Sequence, residues 1–237
     1  MGQFEKGIFV TATDTEVGKT FVSGLLIRTF LQQGIKTGYF KPVASGCQSK
    51  KGALLSEDLL QVESFTNTKM DHNLHCPVRY SKPLAPLAAA RLEKRPVNLE
   101  SIWESFERLK QKYSCLVVEG IGGVMVPLKK DYLVLDMMAD IKFPALVVCR
   151  PALGTINHTL LTVQAIKNKG IPLLGFLTNG SMEKEDEAAR TSPGLISSFS
   201  SVPYLGHIPI YEDGSEMPDD FIEQHLSFLK GILEEIP

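Results

Sequence analysis

Apolar and polar positions alternate along the chain in two different periods, which divide it into strand-like and helix-like segments. Near-continuous apolar runs, typical of strands that are buried on both faces of a parallel sheet, occur at Ile8–Thr13, Thr37–Tyr39 continuing into Phe40, Cys115–Glu119, Ala145–Cys149 and Leu173–Thr178. Amphipathic patterns with helical spacing occur at Thr20–Gln33, Leu55–Phe65, Leu84–Leu92, Leu99–Lys112, Thr155–Lys169 and Phe221–Glu234. This order predicts an α/β fold with a mostly parallel sheet, helices on both faces and right-handed crossovers.

The pattern contains no repeat and no low-complexity linker, so residues 1–237 are interpreted as a single domain. A hydrophobic content of 43% and a charged content of 22% are ordinary for a globular chain with a sizeable core. The segment Ser181–Ser201 is more polar and contains Ser192-Pro193-Gly194. A mobile loop and a short helix are therefore expected there.

Charge and cysteine usage narrow the possible functions. The net charge is −2 and no basic block is present, which argues against a nucleic-acid partner. No apolar run approaches 20 residues and the first residues lack an apolar signal core, so neither membrane insertion nor export is expected. The four cysteines are scattered without a CxxC pair, which favours free thiols in a reducing cytoplasm.

The first strand leads into a candidate phosphate-binding loop. The residues Gly18-Lys19-Thr20 follow it and open a helical pattern, which is the strand–loop–helix context of a P-loop. Free N–H groups at the helix start attract phosphate, Lys19 would neutralise its charge and the Thr20 hydroxyl could bind Mg²⁺. Thr13 stands where the general motif has glycine, so the alternative is an ordinary glycine turn with a solvated lysine. A nucleoside triphosphate site is the interpretation chosen.

Other candidate residues follow the strands, where ligands bind in open α/β sheets. Lys41 follows the second strand and could hold a transferring phosphoryl group or an acidic substrate, although alone it could equally be a surface lysine. Glu119 ends the third strand at the position of a second Mg²⁺ ligand, with a solvated or helix-capping role as the alternative. Asn179 could contact a nucleobase or form a common Asn-Gly turn. The helix start at 154–157 is a candidate site for a second anion, the carboxylate of the substrate.

Five segments together resemble the dethiobiotin synthetase family. They are FVTATDTEVGKT at 9–20, YFKPVASG at 39–46, VVEGIGG at 117–123, GTINH at 154–158 and GHIP at 206–209. The resemblance covers most of the chain and implies an ATP-dependent cyclo-ligase of biotin biosynthesis. Such an enzyme closes 7,8-diaminopelargonic acid with CO₂ into a cyclic urea, through a carbamate and a carbamic–phosphoric anhydride, and releases ADP and phosphate. ATP is then a co-substrate and Mg²⁺ the metal cofactor.

The resemblance also assigns roles to residues of this chain. It implies Lys19 and Lys41 as catalytic residues and Thr20, Asp58 and Glu119 as Mg²⁺ ligands. The implied nucleotide contacts are Glu16, Val17, Gly18, Lys19, Thr20, Phe21, Asp58, Glu119, Gly120, Ile121, Gly122, Asn179, Gly180, Pro209, Ile210 and Tyr211. The implied substrate contacts are Thr15, Ser45, Gly154, Thr155, Ile156 and Asn157. A homodimer is implied as well, in which the helix start of one subunit receives the carboxylate of the substrate bound to the other.

Four positions leave the alignment with the family open. Ala12 stands where the family usually has glycine, and alanine does not comfortably take a positive φ. Ile121 replaces a small residue and either narrows the substrate site or faces the core. Gly180 replaces a common aspartate, which leaves the preference for ATP over CTP or another triphosphate undecided. Glu57 beside Asp58 is an alternative metal ligand.

Two other functions share parts of the pattern. A partitioning-type or iron-protein-type P-loop ATPase would carry a second lysine early in the loop, and positions 13–17 have none. An amidoligase of the cobyric-acid type would bring a glutamine amidotransferase domain, for which 237 residues leave no room. The cluster His72, His75 and Cys76 suggests a metal site but lacks a fourth ligand, so a structural role is expected.

Overall fold

The computed structural model describes residues 6–50, 52–181, 187–209, 228 and 230–232. Its twelve strands within these ranges are β1 Lys6–Ala12, β2 Thr37–Phe40, β3 Val43–Ala44, β4 Gln48–Lys50, β5 Ala53–Leu55, β6 Val78–Arg79, β7 Cys115–Gly123, β8 Pro127–Lys129, β9 Tyr132–Leu133, β10 Ala145–Cys149, β11 Leu173–Gly180 and β12 Tyr204–Pro209. Its eight helices there are α1 Lys19–Gln32, α2 Glu57–Thr66, α3 His72–His75, α4 Pro86–Leu92, α5 Leu99–Lys112, α6 Val134–Ile141, α7 Thr155–Asn168 and α8 Glu187–Ser200.

Six parallel strands form the central sheet in the order β12-β11-β10-β1-β7-β2. Strand β1 lies in the middle, between β10 and β7, with Phe9 beside Ala145 on one side and Val10 beside Glu119 on the other. The phosphate loop that follows β1 therefore lies between the carboxyl ends of two neighbouring strands. This is where ligands bind in open α/β sheets.

Helices cover both faces of the sheet, as the apolar runs predict. Alternate residues of β1 enter opposite layers: Ile8 and Val10 pack with α1 and α2, whereas Phe9 packs with the layer of α4 to α8. All three side chains are fully buried. The α/β fold class with a mostly parallel sheet is confirmed.

Three elements differ from the sequence-based expectations. In the segment Ser181–Ser201, where a loop and a short helix were expected, the helix is present but has 14 residues, α8, and includes Ser192-Pro193-Gly194. Burial of Pro193 with Ala189 and Ile196 on the inner face of α8 outweighs the backbone hydrogen bond that proline removes. The half-buried edge strand β12 and the eight-residue helix α6 lack a long periodic pattern and were not predicted. Most of the predicted helix Phe221–Glu234 lies outside the described residues.

No helix among the described residues is long and apolar enough to cross a membrane. Cys47, Cys76, Cys115 and Cys149 are all buried free thiols.

Candidate active site

The phosphate loop spans residues 13–18, between β1 and α1. Its two left-handed residues are Glu16, with a φ of 54°, and Gly18, with a φ of 89°. Ala12 is the last residue of β1 and its φ is not positive, so alanine is accommodated at this position without strain. The buried Lys19 ammonium donates to the Asp14 carbonyl at 3.1 Å, and this contact folds the loop over the lysine.

Asn179 closes the loop from the end of β11. Its Nδ2 donates to the Val17 carbonyl at 3.0 Å, and a Cβ at position 18 would lie only 2.0 Å from the same nitrogen. Gly18 is therefore required by space as well as by its φ. The Oδ1 of Asn179 is buried and has no hydrogen-bond partner within the described part of the chain. This oxygen is an open acceptor beside the phosphate loop.

A compact polar cluster lies at the start of α1 and joins four of the predicted site residues: Lys41, Glu119, Asp58 and Thr20. The Lys41 ammonium lies 2.7 Å from Glu119 Oε1 and 3.2 Å from Asp58 Oδ2, and it donates to the Gly120 carbonyl at 3.1 Å. The Thr20 hydroxyl lies 2.8 Å from Asp58 Oδ1 and 2.9 Å from Glu119 Oε1. We name these four residues the carboxylate–lysine cluster.

Two further hydroxyls hold the other oxygen of Glu119. Tyr39 donates to Oε2 at 2.8 Å, and Ser23 donates to the same atom at 2.9 Å. Sequence reasoning missed both residues as parts of the site. The signal for Ser23 was its place one helical turn after Lys19, on the same face of α1. Tyr39 gave no such signal, because an aromatic residue in a buried strand usually belongs to the core.

Asp58, and not its neighbour Glu57, points into the cluster. Ser56 caps α2 by accepting from the Leu59 backbone N–H, and this cap sets the direction of the first helical turn. Glu57 is exposed and accepts from the Gln48 side chain. The alternative alignment with Glu57 as a metal ligand is therefore not supported by the geometry.

Charge pairing controls the protonation of the carboxylate–lysine cluster. Burial alone would lower the pKa of Lys41, but the Asp58 and Glu119 carboxylates outweigh it and raise the pKa above its ordinary value. Burial alone would raise the pKa of Asp58, but Lys41 and the Thr20 hydroxyl lower it. Lys19 differs, since burial, together with repulsion by Lys41, lowers its pKa to about 8. Both lysines remain cationic at neutral pH.

The oxygen geometry of the cluster suits a divalent cation. The Thr20 hydroxyl carries one proton but lies within 2.9 Å of two carboxylate oxygens, so only one of these two contacts can be a hydrogen bond. A hydroxyl and two carboxylates are the hard oxygen ligands that Mg²⁺ prefers. The donor set of Thr20, Asp58 and Glu119 thus fits the expected metal.

The opposite edge of the phosphate loop is held by Arg150, which follows β10. Its Nη2 donates to the Thr15 carbonyl at 2.8 Å and lies 3.7 Å from Asp14 Oδ2. Sequence reasoning passed over Arg150, although a charged residue directly after a buried strand obeys the same rule that singled out Lys41 and Glu119.

A cavity of about 120 Å³ connects this edge with the start of α7; it is lined by Thr13, Asp14, Arg150, Ala152, Leu153, Thr155 and His158. The predicted anion site at 154–157 therefore lies beside the phosphate loop of the same chain. Gly154 precedes α7 with a φ of 92°, and no side chain caps the helix; the Thr155 N–H donates to the Ala152 carbonyl at 3.1 Å, so an anion would meet the N–H groups of the two residues that follow. Asn157 is exposed and Ile156 is half-buried.

The remaining predicted residues take several positions. Phe21 packs edge-on against Phe65, with the ring centroids 5.5 Å apart. Ile121 packs against the core and lines a small gap with Leu128 and Met137. Of the two alternatives for this residue, packing against the core is the one observed. The Gly120 carbonyl accepts from Lys41, and Gly122 lies beside Thr15. Gly180 of β11 pairs with Pro209 of β12, and Ser45 is half-buried after β3. Ile210 and Tyr211 lie outside the described residues.

The histidine cluster has structural partners. His75 is fully buried and its Nδ1 contacts the Tyr39 carbonyl, whereas Nε2 of His72 lies 3.5 Å from Glu63. Burial lowers the pKa of His75, so this imidazole is neutral at pH 7.

Fold and phosphate loop together define a P-loop nucleotide-binding protein. The solved structures with a similar fold include the MinD cell division protein of Aquifex aeolicus, with a TM-score of 0.58, 12% identity and 97% and 96% of the two chains covered. A ParA family ATPase of Chlorobium tepidum matches with a TM-score of 0.54, 12% identity and 99% and 93% covered. The family model described as AAA domain matches residues 6–217.

Sequence relatives identify the family more closely. The ATP-dependent dethiobiotin synthetase BioD of Thermodesulfovibrio yellowstonii is 42% identical over 211 residues, which cover 86% of this chain and 88% of that protein. The enzyme of the same name from Bacillus licheniformis is 40% identical over 210 residues, covering 89% and 88%. The chain belongs to the ATP-dependent dethiobiotin synthetase family.

Proposed function

We propose that this chain closes 7,8-diaminopelargonic acid with CO₂ to dethiobiotin at the expense of ATP. The observation that carries the proposal is the carboxylate–lysine cluster beside Lys19: two buried lysines and two carboxylates meet at the start of the phosphate-loop helix. Phosphoryl transfer needs little acid–base chemistry and depends on positioning and charge neutralisation, which this cluster supplies.

Thr20, Asp58 and Glu119 are the proposed Mg²⁺ ligands. When bound, the metal would supply positive charge against the phosphates of the nucleotide. Tyr39 and Ser23 orient the Glu119 carboxylate through its second oxygen, as outer-shell partners do for metal ligands.

Lys41 is the proposed catalytic lysine. Its pKa is raised by two carboxylates, so it stays protonated throughout the physiological range. Three hydrogens on Nζ now reach Glu119, Asp58 and the Gly120 carbonyl. In the reaction this ammonium would donate to the carbamate and the γ-phosphate and neutralise their charge. Lys19 neutralises the outer phosphates from inside the loop.

The reaction then needs only these charges and a close approach of reactants. The carbamate oxygen attacks the γ-phosphorus of ATP and ADP leaves, which gives the carbamic–phosphoric anhydride. The second amine attacks the carbonyl of this anhydride, the five-membered ring closes and phosphate leaves. Backbone N–H groups of the loop hold the phosphates in line during the first step.

Asn179 is the proposed contact for the nucleobase. Its open Oδ1 acceptor suits an exocyclic amino group, which both adenine and cytosine carry. ATP is the co-substrate that the family's name supports. Pro209, Ile210 and Tyr211 are proposed to complete the nucleobase pocket.

We further infer a homodimer with a shared active site. Leu153 is 91% exposed directly before α7 and Leu161 is 63% exposed within it, an unusual display of apolar surface at the edge of a site. A second subunit packed on this face would cover both leucines. The helix start at Gly154, Thr155, Ile156 and Asn157 would then hold the carboxylate of the substrate in the neighbouring site, with Thr15 and Ser45 contacting its diamine end. Free buried thiols are consistent with a cytoplasmic location.

Phosphate release from Mg²⁺–ATP and bicarbonate, measured with and without 7,8-diaminopelargonic acid while the product is followed by mass, tests the proposal. We expect release to depend on the diamine and a cyclic urea to form. ATP hydrolysis that is indifferent to the diamine would contradict the proposal and favour a nucleotide-switched ATPase of the kind that shares this fold.

A further inference from the structure

A second cavity lies away from the phosphate loop, between α4 and the β8–β9 hairpin. Its volume is about 460 Å³. The apolar lining is formed by Leu87, Ala90, Pro96, Val97 and Leu128, and the cationic residues are Arg91, Lys94, Lys129 and Lys130. We name it the basic-rimmed cavity.

The charge around this cavity is unbalanced. Among the described residues, its lining contains four cations and no carboxylate, in a chain whose net charge is −2. A cavity of similar size, about 420 Å³, beside Trp103 is balanced, with Glu107 and Asp140 facing Lys110 and Lys142. The basic-rimmed cavity is therefore complementary to an anion, which the balanced cavity is not.

The nearest acidic residue on α4's C-terminal side does not neutralise the rim. Glu93 accepts from the backbone N–H groups of Ser81 and Lys82 through Oε1 and pairs with Arg95 through Oε2 at 2.8 Å. These contacts lower the pKa of Glu93 to about 2 and turn the carboxylate towards the 81–82 loop. None of the ion pairs found within the described ranges involves a cation of the rim.

We propose that the basic-rimmed cavity binds an unbranched aliphatic carboxylate, with its chain along Leu87, Val97 and Leu128 and its carboxylate among the cations of the rim. The volume lies in the range of small-molecule pockets, about 300–1,000 Å³. An apolar floor with charge confined to the rim matches a ligand that has one anionic end and one hydrocarbon end. Long lysine and arginine side chains can follow the hydrocarbon and still keep their charged ends in water.

The cavity is distinct from the active site but shares one wall with its surroundings. Leu128 is buried, and its other side lines a small gap beside Pro42, Glu119 and Val134. A chain seated against Leu128 would be separated from Glu119 by this side chain and the gap behind it.

Calorimetric titration of the whole protein with decanoate, kept below its aggregation concentration, tests the proposal. We expect saturable binding that weakens at least tenfold in the Lys94→Glu/Lys130→Glu variant, which reverses two charges of the rim. Leu87→Trp, which fills the cavity, should weaken it similarly. The matched control Lys142→Glu, on the rim of the balanced cavity, should leave the affinity for decanoate within twofold of that of the unaltered protein.

Two further titrations distinguish binding in this cavity from nonspecific adsorption and from binding in the substrate site. Decyltrimethylammonium has the same chain and the opposite charge, and we expect it to bind at least tenfold more weakly than decanoate. Equal binding of the two, or decanoate affinity unchanged in both cavity variants, would overturn the proposal. Decanoate affinity that is retained in both cavity variants but lost in Arg150→Ala, beside the start of α7, would place decanoate in the substrate site and would also overturn the proposal. Thermal unfolding of each variant verifies that it is folded.

Discussion

The two edges of the phosphate loop are built very differently. At the Lys41 edge, Lys41 and Glu119 are 3% and 1% exposed, and each ammonium hydrogen and carboxylate oxygen has a partner. At the other edge, Leu153 is 91% exposed, the Arg150 guanidinium is half-exposed and α7 starts without a side-chain cap. The chain's own core completes the first edge, whereas the second presents apolar and charged groups to its surroundings.

The contrast follows from where the residues come from. Lys41 directly follows β2 and Glu119 lies within β7, and the pairing of these two neighbouring strands of the central sheet fixes their positions. Arg150, Leu153 and Gly154 lie on the loop between β10 and α7, which no other element of the described chain covers enough to bury Leu153. The phosphate chemistry is thus preorganised within one chain, and recognition of the substrate is expected to need a second one.

Lys41→Met should have the largest effect, because it removes the ammonium that lies between two carboxylates. We expect kcat to fall at least ~100-fold, the usual cost of losing one preorganised donor. The folded protein should also lose about 3–5 kcal/mol, since Glu119 remains buried and unpaired with a cation. Urea unfolding with and without Mg²⁺ measures this loss, and Mg²⁺ should restore part of it by replacing the missing charge.

Lys142→Met, at an exposed position, serves as the control for Lys41→Met and should change neither kcat nor the free energy of unfolding. Near-full turnover of Lys41→Met would contradict the role of this lysine. A stability loss that Mg²⁺ does not reduce would contradict the placement of the metal at Asp58 and Glu119.

Leu153→Asp combined with Leu161→Asp should separate the two edges of the site. If a second subunit covers these leucines, two desolvated carboxylates at the interface should convert the dimer to monomer at micromolar concentration. The KM for 7,8-diaminopelargonic acid should then rise more than tenfold, while binding of a non-hydrolysable ATP analogue changes less than twofold. Sedimentation and calorimetry measure both effects.

Leu195→Asp on α8 is the matched control for this pair, since Leu195 is 44% exposed on another helix. A double variant that stays dimeric, or a protein that is monomeric from the start and still turns over, would show that the open edge serves another purpose.

Arg150→Ala should have a smaller effect. Arg150 holds the Thr15 carbonyl and Asp14, but it is half-exposed, so solvent screening limits its contribution to about 1 kcal/mol. We expect the KM for ATP to rise roughly fivefold and kcat to stay within twofold of that of the unaltered protein, because the arginine positions the phosphate loop and does not touch the transferring phosphate. Arg150→Lys keeps the charge and should recover part of the affinity. A loss of kcat comparable to that of Lys41→Met would contradict this positioning role.

The sequence predicted the preorganised edge better than the open one. Lys41 and Glu119 could be found because buried strands have a clear apolar pattern and the residue that ends each strand is defined by it. Asp58 could be separated from Glu57 only when the Ser56 cap and the helix direction were visible. Tyr39 could not be found, since nothing in a local pattern shows that a buried tyrosine hydroxyl meets a carboxylate 80 positions away.

The places where the structure differs from the sequence-based predictions have the same cause, which is packing between residues far apart in the chain. Pro193 is tolerated in α8 because one face of that helix packs on the core, and tertiary packing of this kind overrides the local signal of Ser-Pro-Gly. Arg150 directly follows a strand, where ligand-binding residues are expected, but the sequence analysis assigned the binding role of that segment to the helix start at Gly154–Asn157.

His75→Gln should have the smallest effect, and it tests whether acid loosens the preorganised edge. Burial is the main cause of the lowered pKa of His75, ahead of its contact with the Tyr39 carbonyl, which acts in the opposite direction. In the unfolded chain the imidazole takes up a proton near its ordinary pKa of about 6.5, whereas the folded protein resists protonation until lower pH. The unfolded state therefore binds more protons in this window, and the free energy of unfolding should fall as the pH drops below about 6.5.

This loss reaches the site through Tyr39, whose carbonyl contacts His75 and whose hydroxyl holds Glu119. Urea unfolding at pH 7.5, 6.5 and 5.5 should therefore show a free energy of unfolding that declines with pH in the unaltered protein. The decline should be reduced in His75→Gln, which cannot take up the proton. His158→Gln, at an exposed position beside the open edge, should keep the full decline in the free energy of unfolding. If this variant removes the decline instead, the acid-sensitive group lies at the open edge, and the preorganised edge is insensitive to pH.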